Sequence, residues 1–166
     1  VANAIYQQSD AIMLSGETAY GKYPMESVRL MCRIASEIEP QLHPEPDMPL
    51  HRVRTQITET LTRTAVRASQ TLPLKAIIIG RTARYIAAFR GSVPVYAMCY
   101  KPEVQRILSL SYGIEPIYMD LQASHDTFVH EAVSQLLARK EFLPSDLILI
   151  IAGSFGASNG ASFIEI

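Results

Sequence analysis

The sequence is poor in cysteine and carries almost no net charge, and each scarcity excludes a class of protein. It has two cysteines and no tryptophan in 166 residues. The spacing of Cys32 and Cys99 supports no disulfide framework. Both lie in apolar stretches, so we expect two reduced, buried thiols of a cytosolic protein. The formal net charge of −1 argues against a nucleic-acid-binding surface, which needs a basic excess.

Long apolar runs are also missing, although apolar residues are plentiful. No run reaches the ~18 residues that a membrane-spanning helix needs. The chain starts at Val1 without a signal-type segment, so we expect it to be part of a longer protein. Hydrophobic residues make up 48% of the sequence, which is enough for a well-buried core.

Prolines are concentrated near the first quarter of the chain. Proline fixes φ and removes a backbone donor, so a proline-rich segment is neither helix nor central strand. We therefore predict a domain 1–40, a linker 41–52 and a second domain 53–166. The boundary is marked by four prolines within ten residues, at positions 40, 44, 46 and 49.

Helical and strand patterns alternate regularly after this linker. The apolar runs that lack polar alternation predict strands covered on both faces. The alternation predicts an α/β fold, with helices on both faces of a five-stranded, mostly parallel sheet. The last connection is too short for a crossover helix, so the last strand should be antiparallel. The predicted helices are 55–72, 82–90, 102–112 and 124–140, and the predicted strands are 75–80, 93–99, 114–119, 146–152 and 162–166.

One βα unit is predicted before the linker. Ala11–Leu14 is a short apolar run typical of a buried strand, and Pro24 opens a helix over 24–38. Between them lies a polar loop, in which Gly16 and Gly21 are expected to adopt backbone angles that other residues avoid. Loops that follow strands carry the chemistry of parallel α/β folds.

Residues 13–24, which read MLSGETAYGKYP, closely resemble the end of the catalytic barrel in the pyruvate kinase family. Glu26–Val28 and the opening Val1–Ile5 extend the likeness. Residues 80–83, 101–104, 112–116 and 152–153 resemble motifs of that family's carboxy-terminal domain. The resemblance implies that residues 1–40 are the last βα unit of a TIM barrel. It implies that residues 53–166 are a regulatory and assembly domain.

The resemblance implies a glycolytic phosphotransferase that moves a phosphoryl group from phosphoenolpyruvate to ADP, giving pyruvate and ATP. It implies a cytoplasmic, allosteric homotetramer that uses Mg2+ and K+. The family's metal-binding and cationic groups lie on earlier barrel strands that this sequence does not contain. We therefore expect no metal or cofactor in this chain and no kinase activity from it alone. Ser15 and Glu17 should border the substrate cleft in a supporting role; alternatively they only cap a helix.

A second candidate site lies on two loops at the carboxyl edge of the predicted sheet. Glycines and small polar residues there let backbone N–H groups approach a phosphate. The family binds a phosphorylated effector at this place. Here the turn before Gly80 is shortened and lacks the usual hydroxyl residues, which makes a sugar bisphosphate doubtful. The loops could also simply turn the chain. The effector-binding candidates are Gly80, Arg81, Thr82, Ser154, Ser158 and Asn159.

The last predicted strand, Ser162–Ile166, forms a sheet edge guarded only by Glu165. Unprotected edges recruit another strand, so we expect pairing with a second copy and a two-fold dimer. His125 and His130 are off the one-face spacing of a helix, and we expect ordinary surface or capping residues and no zinc site. Two other functions stay open from the sequence. One is a non-catalytic α/β module that binds a phosphorylated metabolite, and the other is a purely structural assembly domain.

Overall fold

The structure, a computed structural model, describes residues 1–42, 56–80, 82–153 and 162–166. The chain divides into two compact units, Val1–His43 and Pro44–Ile166. Of the linker predicted at 41–52, all but residues 41 and 42 lie outside the described residues.

The first unit is helical. It contains α1 (Ala2–Tyr6), α2 (Gly16–Ala19), α3 (Pro24–Ile38) and a 3-10 turn at Glu39–Gln41. The bounds of α3 agree with the predicted helix 24–38. Pro24 occupies its first turn together with Glu26, where a fixed φ and a negative charge both favour a helix start.

The strand predicted at Ala11–Leu14 is wrong. These residues have no regular secondary structure, and Met13 is 86% exposed. A strand needs a neighbour to pair its backbone N–H and C=O groups. Residues 1–42 contain no other strand that could pair with this segment. The apolar run therefore lacks the partner that would make it a strand.

The two glycines of this polar loop have a different role from the predicted one. Gly113 is the only described glycine with a positive φ, so neither Gly16 nor Gly21 adopts an angle that other residues avoid. A Cβ on Gly21 would instead overlap the carbonyl oxygen of Glu17, whereas a Cβ on Gly16 would meet nothing within 4 Å. Glycine is thus required at position 21 by a close backbone approach.

The second unit is the predicted α/β sheet. Its strand order is β3-β2-β1-β4-β5, with four parallel strands and an antiparallel β5 at one edge. This confirms the predicted fold class. The elements are α4 (Gln56–Thr71), β1 (Leu74–Ile79), α5 (Ala83–Ala88), β2 (Val95–Cys99), α6 (Pro102–Leu108), β3 (Ile114–Tyr118), α7 (His125–Leu137), β4 (Leu147–Ala152) and β5 (Phe163–Glu165).

Two hydrophobic layers cover the two faces of the sheet. On one face, Val66 of α4 and Ile86 of α5 share a buried cluster with Ile79. On the other face, Phe128 and Leu136 of α7 share a second buried cluster with strand residues. β1 therefore contributes successive side chains to opposite layers, as the period of a strand requires.

Helices α6 and α7 each end at least three residues earlier than predicted. α6 stops at Leu108 instead of residue 112, and α7 stops at Leu137, shortly before Lys140 adopts a positive φ of 49°. The start of α7 was predicted correctly at Ser124. The Ser124 side chain accepts a hydrogen bond from the Thr127 N–H, and the Thr127 side chain accepts one from the Ser124 N–H. This reciprocal pair is a capping box.

Gly113→Ala is expected to lower the free energy of unfolding by about 1–2 kcal/mol, because a Cβ is disfavoured in the left-handed region. Gly113 has φ +64° and precedes β3. Gly91→Ala is the matched control, since the added Cβ would make ordinary contacts with Val66 and φ is not positive there. Urea unfolding measures the free energy of unfolding of both variants. Equal midpoints for the two would show that Gly113 is not held in that conformation.

Candidate functional site

The polar loop of the first unit is held by hydrogen bonds between its own side chains and its backbone. Ser15 is the N-cap of α2, and its N–H donates to Glu17 Oε2 at 2.9 Å. The Thr18 hydroxyl donates to the Ser15 carbonyl oxygen at 3.2 Å. The Ser15 side chain makes no capping hydrogen bond. Glu17 therefore performs local helix capping, while the Ser15 hydroxyl is not used for it.

The Glu17 carboxylate is stabilised in its charged form. Hydrogen bonds from the backbone N–H groups of Glu17 itself and of Ser15 lower its pKa, because a bonded carboxylate resists protonation. Both residues are exposed. The loop thus presents an ionised carboxylate and a serine hydroxyl to its surroundings, and the local bonds account for the position of the carboxylate.

The carboxyl edge of the sheet brings two of the predicted loops together. β1 and β4 are neighbours, with Ile79 paired to Ile151. Gly80 follows β1 directly, and Gly153 follows β4. The chain lays β2 and β3 on one side of β1 and β4 on the other. The β1–β4 boundary is therefore the point where strand order reverses, which is where open α/β sheets bind ligands.

The effector candidates divide into described and undescribed residues. A Cβ on Gly80 would meet nothing within 4 Å, and its φ is not positive, so neither packing nor backbone angle requires glycine there. Thr82 is the N-cap of α5 and is only 6% exposed. Its side chain makes no capping bond. The remaining candidates, Arg81, Ser154, Ser158 and Asn159, lie outside the described residues.

His125 makes a contact that the sequence did not predict. Its Nε2 lies 3.1 Å from Glu165 Oε2, and its ring packs edge-on against Phe163 with centroids 4.6 Å apart. The first residue of α7 is thereby linked to β5. The two residues in this contact are forty positions apart, so no local pattern signals it.

The two cysteines have different environments. Cys99 is buried as predicted, and this burial raises the pKa of its thiol. Cys32 is exposed on α3, so the prediction of a buried thiol there is wrong. Apolar neighbours in sequence do not bury a helical residue unless its own face of the helix is covered.

No cluster of potential metal ligands stands out in the part of the chain that the structure describes. Those residues contain no group of three or more His, Cys, Asp or Glu side chains placed to hold a metal ion. No helix within the described ranges has the length and apolarity to cross a membrane.

These features define a three-layer α/β domain whose candidate ligand site lies at a strand-order reversal. Residues 59–166 match the family model described as "Pyruvate kinase, alpha/beta domain". The chain belongs to the pyruvate kinase family.

Individual relatives agree with this assignment. The whole chain is 35% identical to a pyruvate kinase of Borreliella burgdorferi and 34% identical to one of Bacillus licheniformis, covering 36% and 29% of those proteins. A crystal structure of a pyruvate kinase from Cryptosporidium parvum superimposes with a TM-score of 0.80 at 26% identity, over 92% of this chain and 33% of that one. The chain thus spans about a third of the length of the relatives that it matches.

Proposed function

We propose that this chain works as the carboxy-terminal part of a pyruvate kinase, which transfers a phosphoryl group from phosphoenolpyruvate to ADP. Membership of the family carries this proposal, supported by relatives that match the chain over its whole length. The enzyme would use Mg2+ and K+ held by segments outside this sequence and would act in the cytoplasm. The 166-residue chain alone would then lack kinase activity.

Within that enzyme, residues 1–40 would complete the catalytic barrel, followed by the linker 41–52. Ser15 and Glu17 would border the substrate cleft and organise its polar network. The ionised Glu17 carboxylate, fixed by the Ser15 N–H at 2.9 Å, suits a supporting electrostatic role. No proton transfer or metal binding is assigned to either residue.

Residues 53–166 would form the regulatory and assembly domain. Its effector would be a phosphorylated metabolite bound by the loops that contain Gly80, Arg81 and Thr82, and Ser154, Ser158 and Asn159. The adjacency of β1 and β4 supports this site, because the Ile79–Ile151 pairing brings Gly80 and Gly153 to neighbouring strand ends. A second copy would pair along β5 to give a dimer, and two dimers would give a homotetramer.

Calorimetric titration of the 166-residue chain is expected to detect one of five probes: fructose 1,6-bisphosphate, glucose 6-phosphate, ribose 5-phosphate, AMP or inorganic phosphate. Arg81→Ala and Ser158→Ala should each weaken the binding of that probe by about tenfold or more, since each removes a charge-assisted hydrogen bond to a phosphate. A monophosphate is expected to bind better than the bisphosphate, because the turn before Gly80 is short.

Lys75→Ala is the matched control for this titration. Lys75 is an exposed cation on β1, the strand that leads to Gly80, and it lies at the end of β1 far from Gly80. Its loss should therefore leave binding of the probe unchanged. If no probe binds, the domain is an assembly module only. The catalytic part of the proposal is tested separately, by measuring pyruvate formation from phosphoenolpyruvate and ADP. Turnover by the 166-residue chain alone would contradict its predicted inactivity.

A further inference from the structure

A cavity of about 400 Å³ opens at the carboxyl end of β2, between α5 and α6. Its inner wall includes Cys99, the last residue of β2, and Leu108 of α6, which are only 4% and 5% exposed. Val104 forms part of the outer wall and is 42% exposed. The volume falls within the range of small-molecule sites, roughly 300–1,000 Å³. The cavity is therefore large enough for a single aromatic or aliphatic ring with a short substituent.

Two cations stand at the mouth of this cavity. Arg84 lies in the first turn of α5, and Lys101 is the residue before α6; both line the cavity and are exposed. None of the described residues that line it is acidic. No described carboxylate forms an ion pair with either cation, and the nearby Glu103 is paired with Arg106 at 3.9 Å. The mouth thus carries two positive charges that attract an anion.

The cavity differs from the proposed effector site in position and chemistry. Its lining includes Gly80, which also belongs to the effector loops, but its other lining residues lie on α5, β2 and α6 or directly after β2, whereas the effector loops meet where β1 adjoins β4. Its walls are mainly apolar, so the hydroxyl groups of a sugar phosphate would lose water without gaining partners. An apolar body with one anionic group satisfies both the walls and the rim.

We propose that this cavity is a second ligand site, which binds an amphipathic organic anion, namely an aromatic ring that carries a carboxylate. The ring occupies the space beside Cys99, Leu108 and Val104. The carboxylate lies at the mouth, where Arg84 and Lys101 supply charge-assisted hydrogen bonds. This site goes beyond the proposed effector function and does not depend on it.

Naphthoate is the probe for this site, and its neutral amide is the uncharged control ligand. Calorimetric titration of the 166-residue chain should detect naphthoate and should show about tenfold weaker binding of the amide, because the carboxylate contacts are lost. Lys101→Ala and Arg84→Ala should each weaken the binding of naphthoate about three- to tenfold. Arg106→Ala is the control, since that cation lies on α6 but does not line the cavity.

Cysteine alkylation provides an independent readout of the location. Saturating naphthoate should slow the alkylation of Cys99, which lines the cavity and is followed at alkaline pH because burial raises the pKa of its thiol, and should leave the alkylation of the exposed Cys32 unchanged. Inorganic phosphate should not displace naphthoate. Arg81→Ala and Ser158→Ala should not weaken the binding of naphthoate. The proposal is overturned if naphthoate does not bind, if the amide binds equally well, or if Cys99 is not protected. Displacement by phosphate would overturn it too, by making the cavity part of the effector site.

Discussion

Ile78→Ala is expected to lower the free energy of unfolding of the α/β unit by about 2–5 kcal/mol, the usual cost of removing a fully buried isoleucine side chain. Ile78 has no exposed surface and lies in β1, which is paired on both sides, to Tyr96 of β2 and Ile150 of β4. It belongs to the same buried cluster as Phe128 and Leu136 of α7. The substitution leaves a cavity that rigid strands on both sides cannot close.

Two variants calibrate this measurement by urea unfolding. Ile78→Val removes one methylene and should cost about 0.5–1.5 kcal/mol. Ile57→Ala truncates an isoleucine on α4 that is 62% exposed, so it should stay within about 0.5 kcal/mol of the parent. If Ile78→Ala shifts the midpoint no more than Ile57→Ala does, β1 is not covered on the α7 face and the three-layer arrangement is wrong.

The sheet was predictable because its strands carry a signal that survives without tertiary information. Residues 76–79 and 147–152 are uninterrupted apolar runs, and both prove to be strands of the sheet centre. Such runs are typical of strands buried on two faces. The short connection before residue 162 also sufficed for the antiparallel direction of β5. The apolar runs and the length of the last connection therefore predicted the strand direction at this edge of the sheet.

The same signal failed at Ala11–Leu14, where it predicted a strand that is absent. An apolar run shows that a segment prefers burial, but a strand also needs a partner for its backbone hydrogen bonds. β1 and β4 are each other's partners, whereas residues 1–42 offer none. Strand formation depends on the rest of the sheet, which no local pattern encodes.

Contacts between distant residues were the part of the site that the sequence did not reveal. The capping box at Ser124 was foreseeable in part, because serine before an apolar-periodic run is a helix-start signal. His125 and Glu165 lie on separate elements. The two cations that line the β2 cavity, Arg84 and Lys101, also come from different segments of the chain. They follow only once strand order is known. The supporting role of Ser15 and Glu17 and the effector role of the two loops stay predictions.

The free edge of β5 leads to the prediction about assembly. β5 pairs with β4 on one side, and its other side faces no strand of the described residues. The charge of Glu165, expected to protect this edge, is instead engaged by His125 of α7. Edges that lack an inward or projecting charge pair readily with another strand. Pairing of two β5 strands about a two-fold axis would join two five-stranded sheets into one.

Ser162→Lys combined with Ile166→Lys is expected to raise the dissociation constant of the proposed dimer by at least about tenfold. An axis at Ile164, the middle residue of β5, would bring position 162 of one copy opposite position 166 of the other. Both positions are exposed, Ile166 by 57%, so the lysines should leave the core intact. Like charges directly opposite each other destabilise an antiparallel pair. Light scattering over a range of protein concentrations measures the effect.

The charge-reversed control combines Ser162→Lys with Ile166→Glu. It carries the same substitution sites, but places opposite charges across the interface, so the dimer should persist. Removing residues 162–166 should also give a monomer, although it uncovers β4 and is the less specific change. A dimer of equal strength in the lysine pair, the charge-reversed pair and the truncated chain would show that β5 takes no part in assembly. The dimer contact would then have to lie on another surface, and the free edge of β5 would need a different explanation.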